Sequence, residues 1–339
     1  MKILLIASVA DKRNRLDGET VKNRVLRNYL LAQKDIELKV VDTDNFRKNP
    51  IVIAFKILKQ LPWCEKVLVS CSDQGAHIVL SFLRRIHFKK KIYYFVIGGR
   101  LAKRIKEKKW SLKDYEQLEK IYVESSVLNK ELIKMGLDNT EIARNFRKVN
   151  SFPKKIKKDR DEVHFVFYGR IMKEKGVEKA IQLVNDLNRL GIKCKLDIYG
   201  QGKQDYLEKI KRMLNENVTL LGEIKPNGKK EFEILSKYDV FLFPTEYPGE
   251  CMPGSLIDAR IAGLPVLASS WKYSSEFVDD GKDGLLFGYA NYDDMLKKAK
   301  KMVKDKNYLK MRNNSAARAK EYICEEVLAG PMFEIRSTR

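Results

Sequence analysis

Histidine is scarce in this chain: His77, His87 and His164 are the only three among 339 residues. No metal centre or acid–base apparatus built on several imidazoles can be drawn from so few. None of the three stands at ligand spacing from a cysteine. Cysteine is sparse as well, with five residues and no C-x-x-C pair. An odd count excludes a fully paired disulfide framework and fits a reducing compartment. No apolar run approaches the roughly 20 residues that cross a bilayer. The opening MKILLIASVADKR is too brief for a signal peptide and lacks a small-residue cleavage site. It is expected to be a buried first strand of a cytoplasmic protein. Short-period repeats and low-complexity tracts are also missing, which excludes solenoid and disordered architectures.

What the chain has in excess is positive charge. Lysine and arginine number 67 against 45 acids, a net charge of +22. That balance directs attention to nucleic acid, an anionic membrane face or a polyanionic substrate. Hydrophobic residues at 44% suffice for real cores, and the length suits about two domains.

Short apolar runs alternate with helical patterns, the mark of doubly wound parallel sheets. Strands are expected at 2–7, 37–41, 66–70, 91–97, 123–126 and 140–143, and helices at 19–32, 51–61 and 76–87. The stretch 148–162, with a proline, a charge run and no periodicity, reads as a linker. A second alternating set follows, with strands at 163–168, 195–199 and 218–221 and helices at 176–190, 205–214 and 292–303. The expected division is 1–150, one Rossmann-like domain; 151–307, a second; and 308–339, a helical tail packing back toward the first domain. The fold class is α/β, two Rossmann-like doubly wound domains facing a central cleft. Ligands of such sheets sit at the carboxyl ends of the strands.

The chemistry concentrates in YDVFLFPTEYPGECMPGSLIDARIAGLPVLASSW, residues 238–271. It reads as strand, acidic loop, short helix, turn, strand. Pro253 suits a first helical turn, Gly263 a left-handed helix end, and Pro265 a stop. Glu250 lies in the loop and Asp258 on the helix, with seven residues between them. The free amides of Gly254, Ser255 and Leu256 between them offer an anion site flanked by carboxylates. Such a place suits a pyrophosphate with sugar hydroxyls beside it. Cys251 has no basic partner nearby and is expected to be a small packed residue. Upstream, Gly169 turns the chain off a strand and Gly176 opens a helix, so Arg170 and Lys175 converge near the strand's carboxyl end and could neutralise a diphosphate. Gly200-Gln201-Gly202 ends another strand in a tight turn, and Gly222-Glu223-Ile224 the next.

These elements resemble the retaining, group-1 glycosyltransferases (family 4 type) of the GT-B fold. The central stretch is similar to the class's E-x7-E element, in the branch reading E-x-F-P-G-[ST]-x-I-D-A that is common in bacterial capsule and exopolysaccharide biosynthesis. Asp258 stands for the usual second Glu, and Met252 for the usual Phe. Residues 168–176 resemble G-R-L-x-x-E-K-G with Ile171 for Leu. The likeness covers the second half of the chain. It implies a nucleotide diphospho-sugar donor, most simply UDP-linked, a glycan acceptor carried on a polyprenyl diphosphate, and no metal or other cofactor. Arg170 and Lys175 would bind the donor phosphates, Glu250 the sugar hydroxyls and Asp258 the ribose. Gly169, Gly200, Gly202, Met252, Pro253 and the backbone of Glu223 and Ile224 would line the donor site. No D-x-D or histidine cluster is placed for a metal.

In the first half the likeness is one of pattern. Gly18, within Asp17-Gly18-Glu19-Thr20, precedes a helix, and Asp73, Gly98 and Gly99 lie at strand ends on the expected cleft side. These are the residues assigned to the acceptor or its phosphate. The general base is left unassigned, with His87 read as a helix-surface residue and His164 as a strand residue. Two basic segments, FLRRIHFKKK (82–91) and LAKRIKEKKW (101–110), read as amphipathic helices with solvated faces or as contacts to an anionic inner leaflet. Rival readings are a GT-B nucleotide-sugar epimerase and a basic nucleic-acid-binding protein. The second lacks any RNP-like aromatic pattern or finger spacing, and no nucleic-acid partner is expected.

Overall fold

The computed structural model describes residues 1–13, 15–154 and 161–337. Within the expected linker, residues 155–160 lie outside the described residues. The chain forms two compact units. One runs from Met1 to Phe146 and takes in the chain from Cys324 onward; the other is Arg147–Ile323. The expected tail is therefore divided. The helix Tyr308–Ala317 stays with the second unit, whereas the helix Cys324–Ser337 packs on the first.

The first unit has strands β1 (Lys2–Ala7), β2 (Glu37–Asp42), β3 (Lys66–Ser70), β4 (Lys91–Phe95), β5 (Lys120–Val123) and β6 (Thr140–Ile142). Its sheet has the order β2-β1-β3-β4-β5-β6, with every pair parallel. Strands such as KVLVS are buried on both faces, as an apolar run between helical layers requires. Leu328, Met332 and Ile335 of the last helix join Ile3, Leu5 and Leu68 in the core. Tyr122 Oη donates to Glu334 at 2.8 Å on the same face. The strand expected at 123–126 sits earlier. Ser125 Oγ accepts from Val127 N at 3.1 Å and Leu128 N at 3.2 Å, so these residues cap the helix Ser126–Ile133 instead.

The second unit has β7 (Val163–Tyr168), β8 (Cys194–Tyr199), β9 (Val218–Gly222), β10 (Val240–Phe243), β11 (Val266–Ser269) and β12 (Gly284–Phe287). Its order is β12-β11-β10-β7-β8-β9, again all parallel. The helix Val177–Arg189 buries Val177, Ala180, Ile181, Val184 and Leu187 at helical spacing against this sheet. Each sheet reverses its winding once, between β1 and β3 in the first unit and between β7 and β10 in the second. A crevice opens at the carboxyl ends of such a strand pair. The two ends of the second unit are tied together: Arg147 N donates to Tyr322 O at 2.8 Å, and Arg147 bridges Ile323 in parallel.

Candidate functional site

At the winding reversal of the second unit, β7 runs into Gly169-Arg170 and β10 into the loop that carries Glu250. Lys175 Nζ contacts Glu250 Oε2, and Thr245 Oγ1 donates to the same oxygen at 3.0 Å. Both side chains of the ion pair are about nine-tenths buried. Glu250 Oε1 makes no hydrogen bond among the described residues and remains available. The ring of Tyr247 unites the cations, with the Arg170 guanidinium 5.1 Å and Lys175 Nζ 5.3 Å from its centroid. Thr245 also accepts from Tyr247 N at 3.2 Å, which fixes the loop around the carboxylate. Neither Tyr247 nor Thr245 is singled out by the sequence alone. An aromatic residue followed by Pro-Gly and then directly by the acid is the available signal.

The helix Gly254–Ile261 opens beside this cluster. A side chain on Gly169 would reach Ser255 Oγ at 3.8 Å, so β7 ends against the helix start. The amides of Gly254 and Ser255 have no backbone partner. Leu256, expected to offer a third free amide, instead donates to the Pro253 carbonyl at 3.1 Å. Pro253 is the N-cap residue, one position before the first turn where it was expected; its fixed φ of −71° suits that place as well. Met252 and Cys251 are buried. The Cys251 carbonyl accepts from the Trp271 indole at 3.1 Å, in keeping with a packed residue.

Asp258, expected at the ribose, is placed differently. It is buried, and Arg147 holds it from Nε at 2.7 Å, with the other carboxylate oxygen 3.5 Å from Nη2. Burial pushes its carboxyl up to about 6, against the opposing pull of Arg147. The Arg147 guanidinium also lies over the helix start. A Cβ on Gly254 would sit 1.9 Å from Nη2, so any side chain there would displace the guanidinium. Arg147 was missed because its partner stands 111 positions away and lies within the likeness while Arg147 lies just before it. Two residues on, Arg260 is fully buried and its Nη2 donates to Asp283 at 2.7 Å and to Phe277 O at 2.7 Å. The helix is thus anchored by two buried ion pairs.

Beside Gly169 lies an open depression of about 580 Å³ lined by Gly200, Gln201, Gly202, Gly222, Glu223 and Lys225, with Leu207 and Leu220 at its base. Gly200 N donates to Gly222 O at 2.7 Å and Gly169 N to Tyr199 O at 3.0 Å, which ties three strand ends together. Gly200 has φ of 154°, and a Cβ there would fall 1.7 Å from Gly169 O. Ile224 is buried and does not line the depression. The structure therefore gathers Gly169, Arg170, Lys175, Gly200, Glu250, Gly254 and Ser255 along one edge, with Gly202 and Glu223 in the adjoining depression.

The first unit treats its predicted residues otherwise. Asp17 caps the helix Gly18–Leu31 by accepting from Glu19 N and Thr20 N, both at 3.1 Å, so those amides are not open to a phosphate. A Cβ on Gly18 would meet nothing within 4 Å, so no close approach requires a glycine there. Asp73 is buried, accepts from Arg100 Nε at 3.1 Å through Oδ2, and leaves Oδ1 without a partner. Burial raises its carboxyl to about 6. Gly98, at φ of 90°, and Gly99 lead into Arg100 and so lie beside it in sequence. His77, one turn after Asp73, stacks on Trp110 with centroids 5.0 Å apart, and burial lowers its pKa. His87 is exposed just past its helix at φ of 50°, and His164 Nε2 lies 2.7 Å from Glu162. Asp42 and Asp44 form a D-x-D triplet whose carboxylates are already engaged. Asp42 accepts from Val9 N and Ala10 N, both at 3.1 Å, and Asp44 pairs with Arg15 at 2.9 Å.

Comparison with known proteins agrees with this geometry. The family model described as glycosyl transferases group 1 matches residues 148–322, just over half of the chain. An uncharacterized glycosyltransferase of Methanocaldococcus jannaschii is 25% identical over 267 residues, covering 77% of this chain and 65% of that protein. The poly(ribitol-phosphate) alpha-N-acetylglucosaminyltransferase of Staphylococcus aureus is 27% identical over 176 residues, 51% of this chain and 34% of that one. The chain thus spans less than two thirds of the length of either curated relative. Among solved structures, HepE of Anabaena in complex with UDP aligns with a TM-score of 0.74 at 12% identity, over 99% of this chain and 100% of the other. Sucrose-phosphate synthase from Thermosynechococcus elongatus gives 0.77 at 15%, over 99% and 98%. At such identities the likeness concerns the fold, which is GT-B. With the family model spanning the whole of the edge just described, the chain belongs to the group 1 glycosyl transferases.

Proposed function

We propose that this protein transfers a sugar from a UDP-sugar to a glycan acceptor with retention of anomeric configuration and without a metal. The observation that carries the reading is the buried Lys175–Glu250 pair beside the open amides of Gly254 and Ser255, at the winding reversal of the second sheet. Arg170, Lys175 and these amides supply fixed positive charge where a diphosphate leaving group develops negative charge. The bond between the sugar's anomeric carbon and the diphosphate breaks, the acceptor oxygen bonds to that carbon on the same face, and the acceptor hydroxyl's proton passes to the departing diphosphate. Glu250 Oε1 receives donor-sugar hydroxyls, while Lys175 and Thr245 fix the other oxygen. Asp258 acts through Arg147, holding the helix start in place rather than meeting the ribose directly. The depression at Gly200, Gly202 and Glu223 takes the nucleoside.

The names of relatives support the donor and acceptor classes. HepE of Anabaena has been crystallised in complex with UDP and with UDP-glucose. One relative is an N-acetylglucosaminyltransferase acting on poly(ribitol phosphate), and another is a putative colanic acid biosynthesis glycosyltransferase of Salmonella typhimurium. They favour a polysaccharide intermediate, which we take to be lipid-linked and reached by a peripheral protein at the inner membrane face. The epimerase reading is not favoured.

The test is thermal denaturation with UDP, GDP, CDP and ADP, for the wild type and an Arg170→Ala/Lys175→Ala variant. Ligand at 100 times its Kd adds about 2.7 kcal/mol to the binding unit. A shift with UDP that is absent in the variant is expected. A shift with none of the four nucleotides would overturn the donor assignment.

A further inference from the structure

The helix Pro50–Gln60 in the first unit is apolar on two sides. Ile53 and Ile57 are buried and fasten it to the unit. Ile51, Val52, Phe55 and Leu58 face outward, with 83%, 51%, 66% and 45% of their surfaces exposed. Their spacing sets all four within one face of a helix. Four of the fifteen large hydrophobic side chains exposed among the described residues fall in these eight positions. The others are scattered along the chain, as single surface apolar residues ordinarily are. A contiguous apolar patch is the kind of surface that marks an interaction.

The charge along this helix is all of one sign. Arg47, Lys48, Lys56 and Lys59 lie in or beside the helix, and no Asp or Glu occurs from 45 to 64. Lys56 and Lys59 are exposed on the same side as Val52 and Phe55. The far end adjoins the basic segment 82–91, because Lys90 Nζ donates to Leu61 O and Pro62 O, each at 3.0 Å. Ile86 of that segment is also exposed. A helix of this length rises roughly 16 Å, about half of a hydrocarbon core. No helix among the described residues is long and apolar enough to cross a membrane. An apolar face with a cationic margin on a short helix suits the headgroup–acyl boundary of an anionic bilayer. A second copy docking on this face would bring the lysines of both copies together, and such like-charge juxtaposition is unfavourable.

We infer that the outward face of the Pro50–Gln60 helix is the surface by which this protein lies on anionic membrane. The inference rests on the proposed peripheral placement and sharpens it by naming the contact. It also moves the expected membrane contact away from segment 101–110, whose apolar Leu101, Ala102 and Ile105 are buried. Binding is measured without donor or acceptor, so its failure leaves the transfer reading untouched.

The experiment is co-sedimentation of the full chain with vesicles of phosphatidylcholine, with and without phosphatidylglycerol. The variants are Phe55→Ser/Leu58→Ser, Lys56→Gln/Lys59→Gln and Lys103→Gln/Lys106→Gln. These side chains are exposed, and an unchanged far-UV circular dichroism spectrum and urea midpoint check that each variant is folded. The wild type is expected to bind anionic vesicles in a salt-sensitive way. The apolar variant should lose about tenfold or more in partitioning. The Lys56/Lys59 variant should lose on the order of tenfold, at about fivefold per lysine less salt screening, and the Lys103/Lys106 variant little. Absence of wild-type binding, or loss only in the Lys103/Lys106 variant, would overturn the inference. So would a concentration-dependent dimer that Phe55→Ser/Leu58→Ser abolishes while vesicle binding persists.

Discussion

The two units share one architecture and treat its functional edge in opposite ways. In the first, charges at the strand ends are satisfied from within. Lys22 Nζ donates to Glu124 at 2.6 Å and to Val96 O at 3.2 Å, all of it buried. Asn23 Nδ2 bonds Ser8 O and Ser70 O at 3.0 and 2.8 Å, and Asp17 and Asp42 occupy the nearby amides. In the second, polar groups of both signs are left open: the Gly254 and Ser255 amides and the exposed Arg170 as donors, and one oxygen of Glu250 as an acceptor. The comparison teaches that winding fixes where a crevice opens, while side-chain pairing decides whether it is held ready for an anion.

The largest effect is expected from breaking the closed edge. Lys22→Met leaves Glu124 buried and unpaired, which should cost about 3–5 kcal/mol. Urea unfolding measures it, and the UDP-dependent shift, which belongs to the other unit, should survive. Next comes the open edge. Glu250→Gln should lower turnover by about 10²–10³ with UDP binding retained; near-normal turnover would remove Glu250 from the mechanism. The smallest effect concerns acidity. Glu19 accepts from Ser72 N at 2.8 Å, and burial raises its carboxyl from 4.5 to about 7. The folded state therefore keeps a proton that the unfolded chain has released. Stability should fall as pH rises from about 4.5 to about 7, and Glu19→Gln should flatten that slope in a series of urea midpoints.

Much of this was legible in the sequence, because buried parallel strands are short apolar runs. FLFP after Val240, YGR after Phe167 and the glycines at 200 and 202 mark the ends of β10, β7 and β8 with little ambiguity. Three things were not legible. The β12 strand, GLLF, follows a polar turn and offers too few residues to establish a period. The true end of β5 depended on Ser125 acting as a cap. The Arg147–Asp258 pair joins distant positions, and no local spacing reports such a contact. Asp258 could be seen to carry charge near the site, but not that the charge is already answered.

Arg147 has one more consequence. The chain enters the second unit at this residue and leaves it at Ile323, its neighbour across a parallel bridge. The second unit is thus an insert whose ends meet, so grafting it as one cassette needs only two adjacent junctions. Any such graft must carry residue 147 with it, or the transplanted helix arrives without its anchor.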